Sequence, residues 1–170
     1  YRFNWQAPFL VSPHDPKTIY MAGNVVFRTR DEGMTWEKIS DDLTLNLEDK
    51  MKVAGSPWLP EYFGQGTFST IHRLVESPHE KGVLWAGSDD GLVHLTRDGG
   101  KTWNNVTPPD LPELSGIYEI EISPHDAATV YLAITRYRKA DDYSPYLLKT
   151  ADYGKTWKRL DGNFPKDEIT

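Results

Sequence analysis

The chain has 170 residues, which is enough for one domain with a substantial core. Its formal net charge of −6 argues against a nucleic-acid or anionic-membrane surface, and the lack of cysteine excludes disulfides and cysteine-based metal sites. No apolar run approaches membrane-spanning length, so we expect no membrane insertion.

The first predicted unit covers residues from about 9 to 40. Apolar, β-prone runs at 9–11, 18–23, 25–30 and 35–40 predict four consecutive strands. The turn Ser12-Pro13-His14 separates the first two strands, since serine followed by proline is ordinary type I turn chemistry. The octapeptide Thr29-Arg30-Asp31-Glu32-Gly33-Met34-Thr35-Trp36 separates the last two.

Residues 41–70 form a long insert without a counterpart elsewhere in the chain. The part at 45–53 has some helical spacing, but the run is too short to predict a helix. The part at 55–66 mixes aromatic residues with glycine and proline, which is typical of a loop.

Two further units follow, at about 71–107 and about 116–161. Strands are predicted at 71–75, 83–87, 92–97 and 102–106 in one, and at 117–122, 129–134, 147–150 and 156–160 in the other. The tight turn Ser88-Asp89-Asp90-Gly91 joins two strands of the second unit, because Asp-Gly between apolar runs is a strong hairpin signal. The third unit has an insertion at 135–145 instead, and residues 162–170 form a tail.

Two short motifs recur once in each unit. The octapeptide returns at 96–103 and 150–157 with the shared skeleton Thr-x-Asp-x-Gly-x-Thr-Trp, and Ser-Pro-His returns at 77–79 and 123–125. Each octapeptide stands between β-prone segments and is predicted to be a hairpin turn. In such a turn an aspartate accepts amide hydrogen bonds, glycine supplies a positive φ and tryptophan anchors the corner. The residues with these roles are Asp31, Gly33, Trp36, Asp98, Gly100, Trp103, Asp152, Gly154 and Trp157.

The octapeptide resembles the Asp-box, or BNR repeat, of sialidases, xyloglucanases and sortilin-type receptors. With the Ser-Pro-His turns and the strands that follow them, the chain looks most like bacterial sortilin-like proteins that are often described as glycosyl hydrolases. The resemblance implies an all-β fold, a β-propeller segment of three four-stranded Asp-box blades. It also implies that the box lies on the outer rim of each blade and is structural.

Three blades make an open arc. Propellers typically close with 4–8 blades, and each blade buries its two faces against its neighbours. We therefore expect either a segment of a larger propeller or a half that pairs with a second copy of itself. The opening Tyr1-Arg2-Phe3-Asn4-Trp5 reads as sequence from within a longer protein.

In the usual propeller, the loops from strand two to strand three share one face with the loops that lead to the next blade. Both inserts and the turn at 88–91 then lie on that face, which we call the insert-bearing face. Residues that occur once there are better candidates for function than residues that recur in every blade. The predicted binding residues are Trp58, Tyr62, Phe63, Asp89, Asp90, Arg136, Tyr137, Arg138 and Tyr143.

Each of these residues also has a simpler interpretation. The aromatic side chains stack on a sugar ring or anchor a peptide, or they hold long loops in place. Asp89 and Asp90 suit a hairpin turn, and Arg136 and Arg138 suit a solvated hairpin tip.

Catalytic residues are left unassigned. Glu119 and Glu121 alternate on a predicted inner strand and would line a central channel, but a glycosidase needs two carboxyl groups about 5–9 Å apart. His14, His79 and His125 raise the possibility of a three-histidine metal site. One histidine per blade spreads them around the ring, so we expect a structural role, no metal and no cofactor.

These observations predict a non-catalytic binding or scaffold module of a secreted or bacterial cell-envelope protein. We expect it to recognise protein or carbohydrate through the insert-bearing face. The alternative is part of a sialidase- or xyloglucanase-like glycoside hydrolase whose catalytic carboxylates lie partly outside this segment.

Overall fold

The computed structural model describes residues 1–51, 68–160, 162 and 164. Its strands form three four-stranded antiparallel sheets, each with its strands side by side in chain order. Blade one contains β1 (Phe9–Ser12), β2 (Asp15–Ala22), β3 (Val26–Thr29) and β4 (Glu37–Lys38). Blade two contains β5 (Ile71–Glu76), β6 (Leu84–Ser88), β7 (Val93–Thr96) and β8 (Asn104–Asn105). Blade three contains β9 (Gly116–Ile122), β10 (Val130–Arg136), β11 (Asp142–Thr150) and β12 (Lys158–Arg159). The prediction of an all-β fold with three four-stranded sheets is confirmed.

The described residues contain two helices of four residues each. α1 (Glu48–Met51) lies in the insert after blade one, and α2 (Tyr137–Ala140) lies between β10 and β11. The sequence predicted that the insertion at 135–145 would separate two short strands. Instead both strands continue into it and Arg136 pairs with Asp142, so the insertion lengthens the hairpin and ends it in one helical turn.

Two apolar cores hold the blades together. The core between blades one and two contains Tyr20, Ala22, Val26, Ile39, Leu43, Ile71, Leu74, Leu84 and Ala86. The core between blades two and three contains Val83, Trp85, Val93, Leu95, Ile117, Ile120, Ile122, Val130, Leu132, Ile134 and Leu148. Blade two is therefore covered on both faces, as expected for a sheet between two others.

Strand β6 shows how the sequence divides between these cores. Side chains alternate across a strand, so Leu84 and Ala86 face blade one while Trp85 faces blade three. Gly87 shares the Trp85 side, where a Cβ atom would collide with the side chain of Ile117. All five residues of the strand are buried.

The meander order places the loops at two ends of each sheet. The β1–β2 and β3–β4 connections, with their counterparts in the other blades, lie at one end and carry the Ser-Pro-His turns and the octapeptides. The β2–β3 connections and the links between blades lie at the other end, which is the insert-bearing face. No helix in residues 1–51 and 68–160 is long and apolar enough to cross a membrane.

Candidate functional site

The three octapeptides make the same internal hydrogen bonds. In the second copy, Asp98 Oδ1 accepts from the Thr102 amide at 2.9 Å and from Thr96 Oγ1 at 2.8 Å. Asp98 Oδ2 accepts from Thr102 Oγ1 at 2.7 Å, and the Gly100 amide donates to Thr96 Oγ1 at 3.0 Å. The polar side chains that recur in all three octapeptides are thus hydrogen-bonded within the turn itself.

These hydrogen bonds favour the ionised aspartate. They lower the pKa of Asp31, Asp98 and Asp152 to about 2, because each carboxylate accepts from the backbone and side chain of the threonine four residues on. A carboxylate held ionised at one outer corner of each blade is suited to fastening a turn. It is not poised to exchange protons near neutral pH.

The Ser-Pro-His turns contact the neighbouring blade. His14 Nε2 lies 2.7 Å from the Ser77 carbonyl oxygen, and His79 Nε2 lies 2.9 Å from the Ser123 carbonyl oxygen. A carbonyl oxygen only accepts, so each imidazole donates from Nε2. The histidines are spread over three blades, and the described residues contain no cluster of three or more histidine, aspartate or glutamate side chains that could hold a metal ion.

Asp89 and Asp90, predicted as binding residues, lie beneath the insert-bearing face with 4% and 1% of their surface exposed. Asp89 accepts from the Thr70 amide at 2.9 Å and from Thr70 Oγ1 at 3.0 Å. Asp90 accepts from Ser88 Oγ at 2.5 Å and from the Leu45 amide at 2.8 Å. The pair therefore joins the turn at 88–91 to both ends of the insert.

Burial raises the pKa of Asp89 to about 6, although nearby Lys139 and the hydrogen bonds from Thr70 act in the opposite direction. Lys139 Nζ donates to the Asp89 carbonyl oxygen and lies 4.9 Å from the centroid of the Phe68 ring. Burial lowers the pKa of Lys139 as well. Sequence reasoning missed Lys139, because its role depends on α2 folding back over the turn of blade two.

The β10–α2–β11 hairpin holds the exposed aromatic pair of this face. Tyr137 and Tyr143 are 41% and 49% exposed, and their ring centroids are 6.1 Å apart. Asp142 holds the two strands of this hairpin together. Its carboxylate accepts from Arg136 Nη1 and, at 2.7 Å, from the Tyr146 hydroxyl. Arg136 also donates to the Glu113 carbonyl oxygen at 3.1 Å, so it braces the hairpin and is not a free cation.

The remaining predicted binding residues are Arg138, Trp58, Tyr62 and Phe63. Arg138 lies within α2, and its side chain is outside the described part of the chain. Trp58, Tyr62 and Phe63 also lie outside the described residues.

A cleft of about 530 Å³ opens on the insert-bearing face, where the insert, the turn at 88–91 and the 107–114 link meet. Its lining is largely apolar and includes Leu45, Leu47, Leu111 and Pro112. Three charged residues, Lys50, Asp90 and Glu113, are also part of the lining, together with Asn105 and Thr107. A concave apolar surface with a few polar groups is the usual form of a ligand site.

The two glutamates of β9 lie on the side of the strand opposite to Ile120, as their pairing with Ala133 and Tyr131 shows. Glu119 forms an ion pair with Arg73 at 2.7 Å. Glu121 is exposed. The contacts thus assign Glu119 a partner within the fold.

No family model matches the chain. The oligoxyloglucan-reducing end-specific xyloglucanase of Emericella nidulans is 22% identical over 162 residues, which cover 89% of this chain and 17% of that enzyme. The chain therefore spans less than a fifth of the curated relative that it matches.

Solved structures share the architecture. An ancestral GH74 enzyme matches with a TM-score of 0.64 at 14% identity, covering 93% of this chain and 18% of that one. The GH74 enzyme of Niastella koreensis matches with a TM-score of 0.60 at 14% identity, covering 94% and 24%. YCF48 bound to D1 peptide matches with a TM-score of 0.54 at 17% identity, covering 94% and 41%. These likenesses place the chain among the β-propellers, as consecutive four-stranded blades.

Proposed function

We propose that the chain is a segment of an Asp-box (BNR) β-propeller, related to sortilin-like proteins, that acts as a non-catalytic binding or scaffold module. Its ligand is a protein or a carbohydrate, taken at the insert-bearing face. The observation that carries the proposal is that residues recurring in the blades serve the fold, whereas exposed aromatic residues on the insert-bearing face occur only once. The recurring aspartates and glycines form the turns, and Trp103, Trp157, His14 and His79 contact a neighbouring blade. Tyr137 and Tyr143, in contrast, occur once and are exposed.

The geometry of the insert-bearing face supports this role. The tyrosine pair presents two rigid aromatic surfaces, and the cleft between the insert and the 107–114 link adds a concave apolar surface. The buried Asp89 and Asp90 and the ion-paired Glu119 are engaged within the fold. The predicted contributions of Trp58, Tyr62, Phe63 and Arg138 belong to the same proposed surface.

Two of the matched proteins are in line with these ligand classes. One solved YCF48 structure is named for a bound peptide, and the matched enzyme of Emericella nidulans is named for a xyloglucan-derived saccharide. A secreted or bacterial cell-envelope location is part of the proposal and rests on the resemblance of the repeats to those of such proteins.

A binding experiment on the purified chain tests the proposal. Glycan and peptide arrays identify the ligand class, and calorimetry then compares Tyr137→Ala and Tyr143→Ala with Met34→Ala. Met34 is 83% exposed but belongs to an octapeptide at the opposite end of the blades. We expect each tyrosine variant to bind about tenfold more weakly, because exposed aromatic anchors dominate such sites, and Met34→Ala to bind normally. Equal affinity in all three variants would refute this site.

The second candidate function is part of a glycoside hydrolase, which the match to a xyloglucanase favours. It requires a carboxyl pair about 5–9 Å apart, one member of which Glu121 would supply. Turnover of aryl glycosides by the chain, abolished in Glu121→Gln, would establish this candidate and overturn the non-catalytic assignment.

A further inference from the structure

The indole of the octapeptide makes the same contact at both junctions between blades. Trp103 Nε1 donates to the Ile39 carbonyl oxygen at 2.8 Å, and Trp157 Nε1 donates to the Val106 carbonyl oxygen at 2.9 Å. Ile39 and Val106 occupy equivalent positions, directly after the short fourth strand of the preceding blade. A groove lies beside each contact, between the octapeptide and the link that leaves the preceding blade.

The groove at the first junction is polar. It has a volume of about 460 Å³, and its lining includes Asp41 and Asp42 of the link and Lys38 of β4. Lys38 Nζ lies 3.7 Å from Asp41 Oδ1, and Asp42 Oδ2 accepts from Arg2 Nη2 at 2.7 Å. Both acidic side chains of this groove are therefore paired within the fold.

The groove at the second junction, which we call the rim groove, has a different lining. Two prolines, Pro108 and Pro109, stand where the first groove has its two aspartates. Trp157, Tyr146 and the buried Leu148 also line it. Its volume of about 300 Å³ lies at the lower end of the range for small-ligand sites. The rim groove thus has the size and the apolar, aromatic lining of a site for one small ring.

The indole of Trp157 is held in place by two contacts. Its N–H donates to the Val106 carbonyl oxygen, and its ring packs edge-on against Trp85, with centroids 6.3 Å apart and 81° between the planes. Because the N–H is already engaged, Trp157 offers a ligand a ring surface and no hydrogen-bond donor. The face of an aromatic ring carries partial negative charge, which suits the C–H groups on the flat side of a sugar ring.

Two cations border this aromatic surface. Lys155 and Arg159 are exposed and line the rim groove. The Arg159 guanidinium carbon lies 4.8 Å from the centroid of the Tyr146 ring, so a cation–π contact orients it. Among the described residues that line the groove, Asp110 is the acidic one. In a chain of net charge −6, this local excess of positive charge favours a ligand that carries a carboxylate.

The shape of the rim groove favours a sugar over a peptide. Peptides bind by adding a strand to a sheet edge, or by lying along a groove that holds several of their residues. The edge strand beside this groove, β12, is two residues long, which is too short for strand addition. A compact groove of about 300 Å³ accommodates one ring and no extended segment.

We propose that the rim groove binds an acidic sugar, a uronic acid residue of a polysaccharide. In this site the sugar ring packs on Trp157, and its carboxylate accepts from Arg159 and Lys155. Asp110 accepts from the hydroxyl groups of the sugar. The site is distinct from the tyrosine pair of the insert-bearing face, so it adds a second binding function to the one proposed above.

Titration of the purified chain with galacturonate, glucuronate, galactose and acetate tests the proposal. NMR follows the indole N–H resonance of Trp157. We expect at least one of the two uronates to shift this resonance and to bind about tenfold more tightly than galactose or acetate, since only a uronate makes both the ring and the carboxylate contacts. No shift with either uronate, or equal binding of galactose or acetate, would overturn the proposal. A tetraglutamate peptide that binds as tightly as the uronates would also overturn it.

Matched variants locate the carboxylate contact. We expect Arg159→Gln to weaken uronate binding by roughly 10- to 50-fold and Lys155→Gln by roughly 3- to 10-fold. Lys158→Gln, on the opposite side of β12, and Lys101→Gln, at the equivalent position in the first groove, remove the same charge and should bind normally. Equal weakening in all four variants would show a general effect of net charge and would overturn the site.

The two proposed sites can fail separately. Pro108, Pro109 and Leu111 line both the rim groove and the cleft of the insert-bearing face, so the variants avoid them. Tyr137→Ala should weaken the ligand of the insert-bearing face and leave uronate binding unchanged, whereas Arg159→Gln should do the reverse. Uronate binding lost equally in both variants would place the sugar on the insert-bearing face and overturn the rim site.

Discussion

At the scale of single residues, the octapeptide combines a turn whose polar groups hydrogen-bond to one another with a contact to the preceding blade. The carboxylate of Asp98 and the hydroxyls of Thr96 and Thr102 close the turn through short hydrogen bonds. Gly100 and Trp103 then form the contact to blade one. The same eight residues therefore shape a corner and fix the position of a whole sheet.

The glycine of this contact can be tested against its neighbour. Gly99 and Gly100 both have positive φ, of 73° and 89°, but a Cβ atom at Gly99 meets only Arg28 Nη1 at 3.4 Å. Blades one and three place Glu32 and Tyr153 at the Gly99 position with φ of 59°. We expect Gly99→Ala to cost about 1 kcal/mol for its backbone conformation.

Gly100→Ala should cost about 1–3 kcal/mol more than Gly99→Ala, because its methyl group enters the space occupied by Ile39. Urea unfolding of the two variants gives the difference in the free energy of unfolding. Equal free energies of unfolding for the two variants would show that Ile39 of blade one shifts to accommodate the added methyl group without loss of stability.

The sequence predicted the role of these residues within the turn but not their contacts across blades. Aspartate, glycine and threonine at fixed spacing indicate a turn because their preferences are local. The acceptors of the tryptophan and histidine contacts are backbone carbonyls of other blades. Every residue carries such a carbonyl, so no side-chain pattern marks which one is used.

At the scale of the elements, the strands were predictable to within a few residues, except where an insertion was involved. Their order follows from apolar runs between repeated turns, whereas the fourth strands are shorter than predicted at two residues each. In the third blade the insertion continues the ladder to Asp142, because Arg136 and Asp142 pair across it. A pairing of two polar residues is not visible as an apolar run.

The hairpin that presents Tyr137 and Tyr143 should depend on this pair. Asp142→Asn replaces a carboxylate that accepts from Tyr146 and Arg136. Burial raises the pKa of Asp142, but the hydrogen bonds from Tyr146, Ser144 and Arg136 outweigh it and lower this pKa to about 2. We expect faster amide hydrogen exchange in the outer half of the hairpin and weaker ligand binding.

The neighbouring Asp141→Asn is the matched control. Asp141 is exposed and has a φ of 51°, a conformation that asparagine adopts readily, and the charge change is identical. Hydrogen exchange that rises equally in both variants would attribute the effect to lost charge and not to the Arg136 contact.

At the scale of the whole molecule, stability should depend on pH through aspartates whose pKa values shift in opposite directions on folding. Asp31, Asp98 and Asp152 have pKa values of about 2 against an ordinary value of 3.8. The stability they contribute is complete above about pH 5 and is lost progressively as the pH falls toward 2. The folded chain should therefore lose stability in acid, and urea unfolding followed by circular dichroism between pH 2 and pH 5 measures this.

Asp89 acts in the opposite direction. Its pKa of about 6 in the folded chain exceeds the ordinary 3.8, so the folded state holds a proton that the unfolded state has already released. We expect the free energy of unfolding of the wild-type chain, minus that of Asp89→Asn, to fall as the pH rises from about 4 to about 6. The subtraction removes the histidines His72 and His94, whose pKa values are lowered by burial and whose contribution has the reverse slope.

Asparagine keeps an acceptor for the Thr70 amide, so the variant isolates the charge of Asp89 from its hydrogen bond. Urea titrations of both proteins at several pH values give the difference directly. A difference that stays constant over this range would mean that Asp89 is ionised in the folded chain and that Lys139 compensates its burial.

The direction of the tryptophan contacts has a consequence for how the chain is made. Both indoles reach toward the N-terminus, to a carbonyl of a blade that the ribosome has already released. Each newly synthesised blade can therefore dock on the preceding, already folded blade. Folding can then proceed blade by blade before later segments are synthesised. The histidines reach the other way, so they join a blade to its successor only once that successor exists.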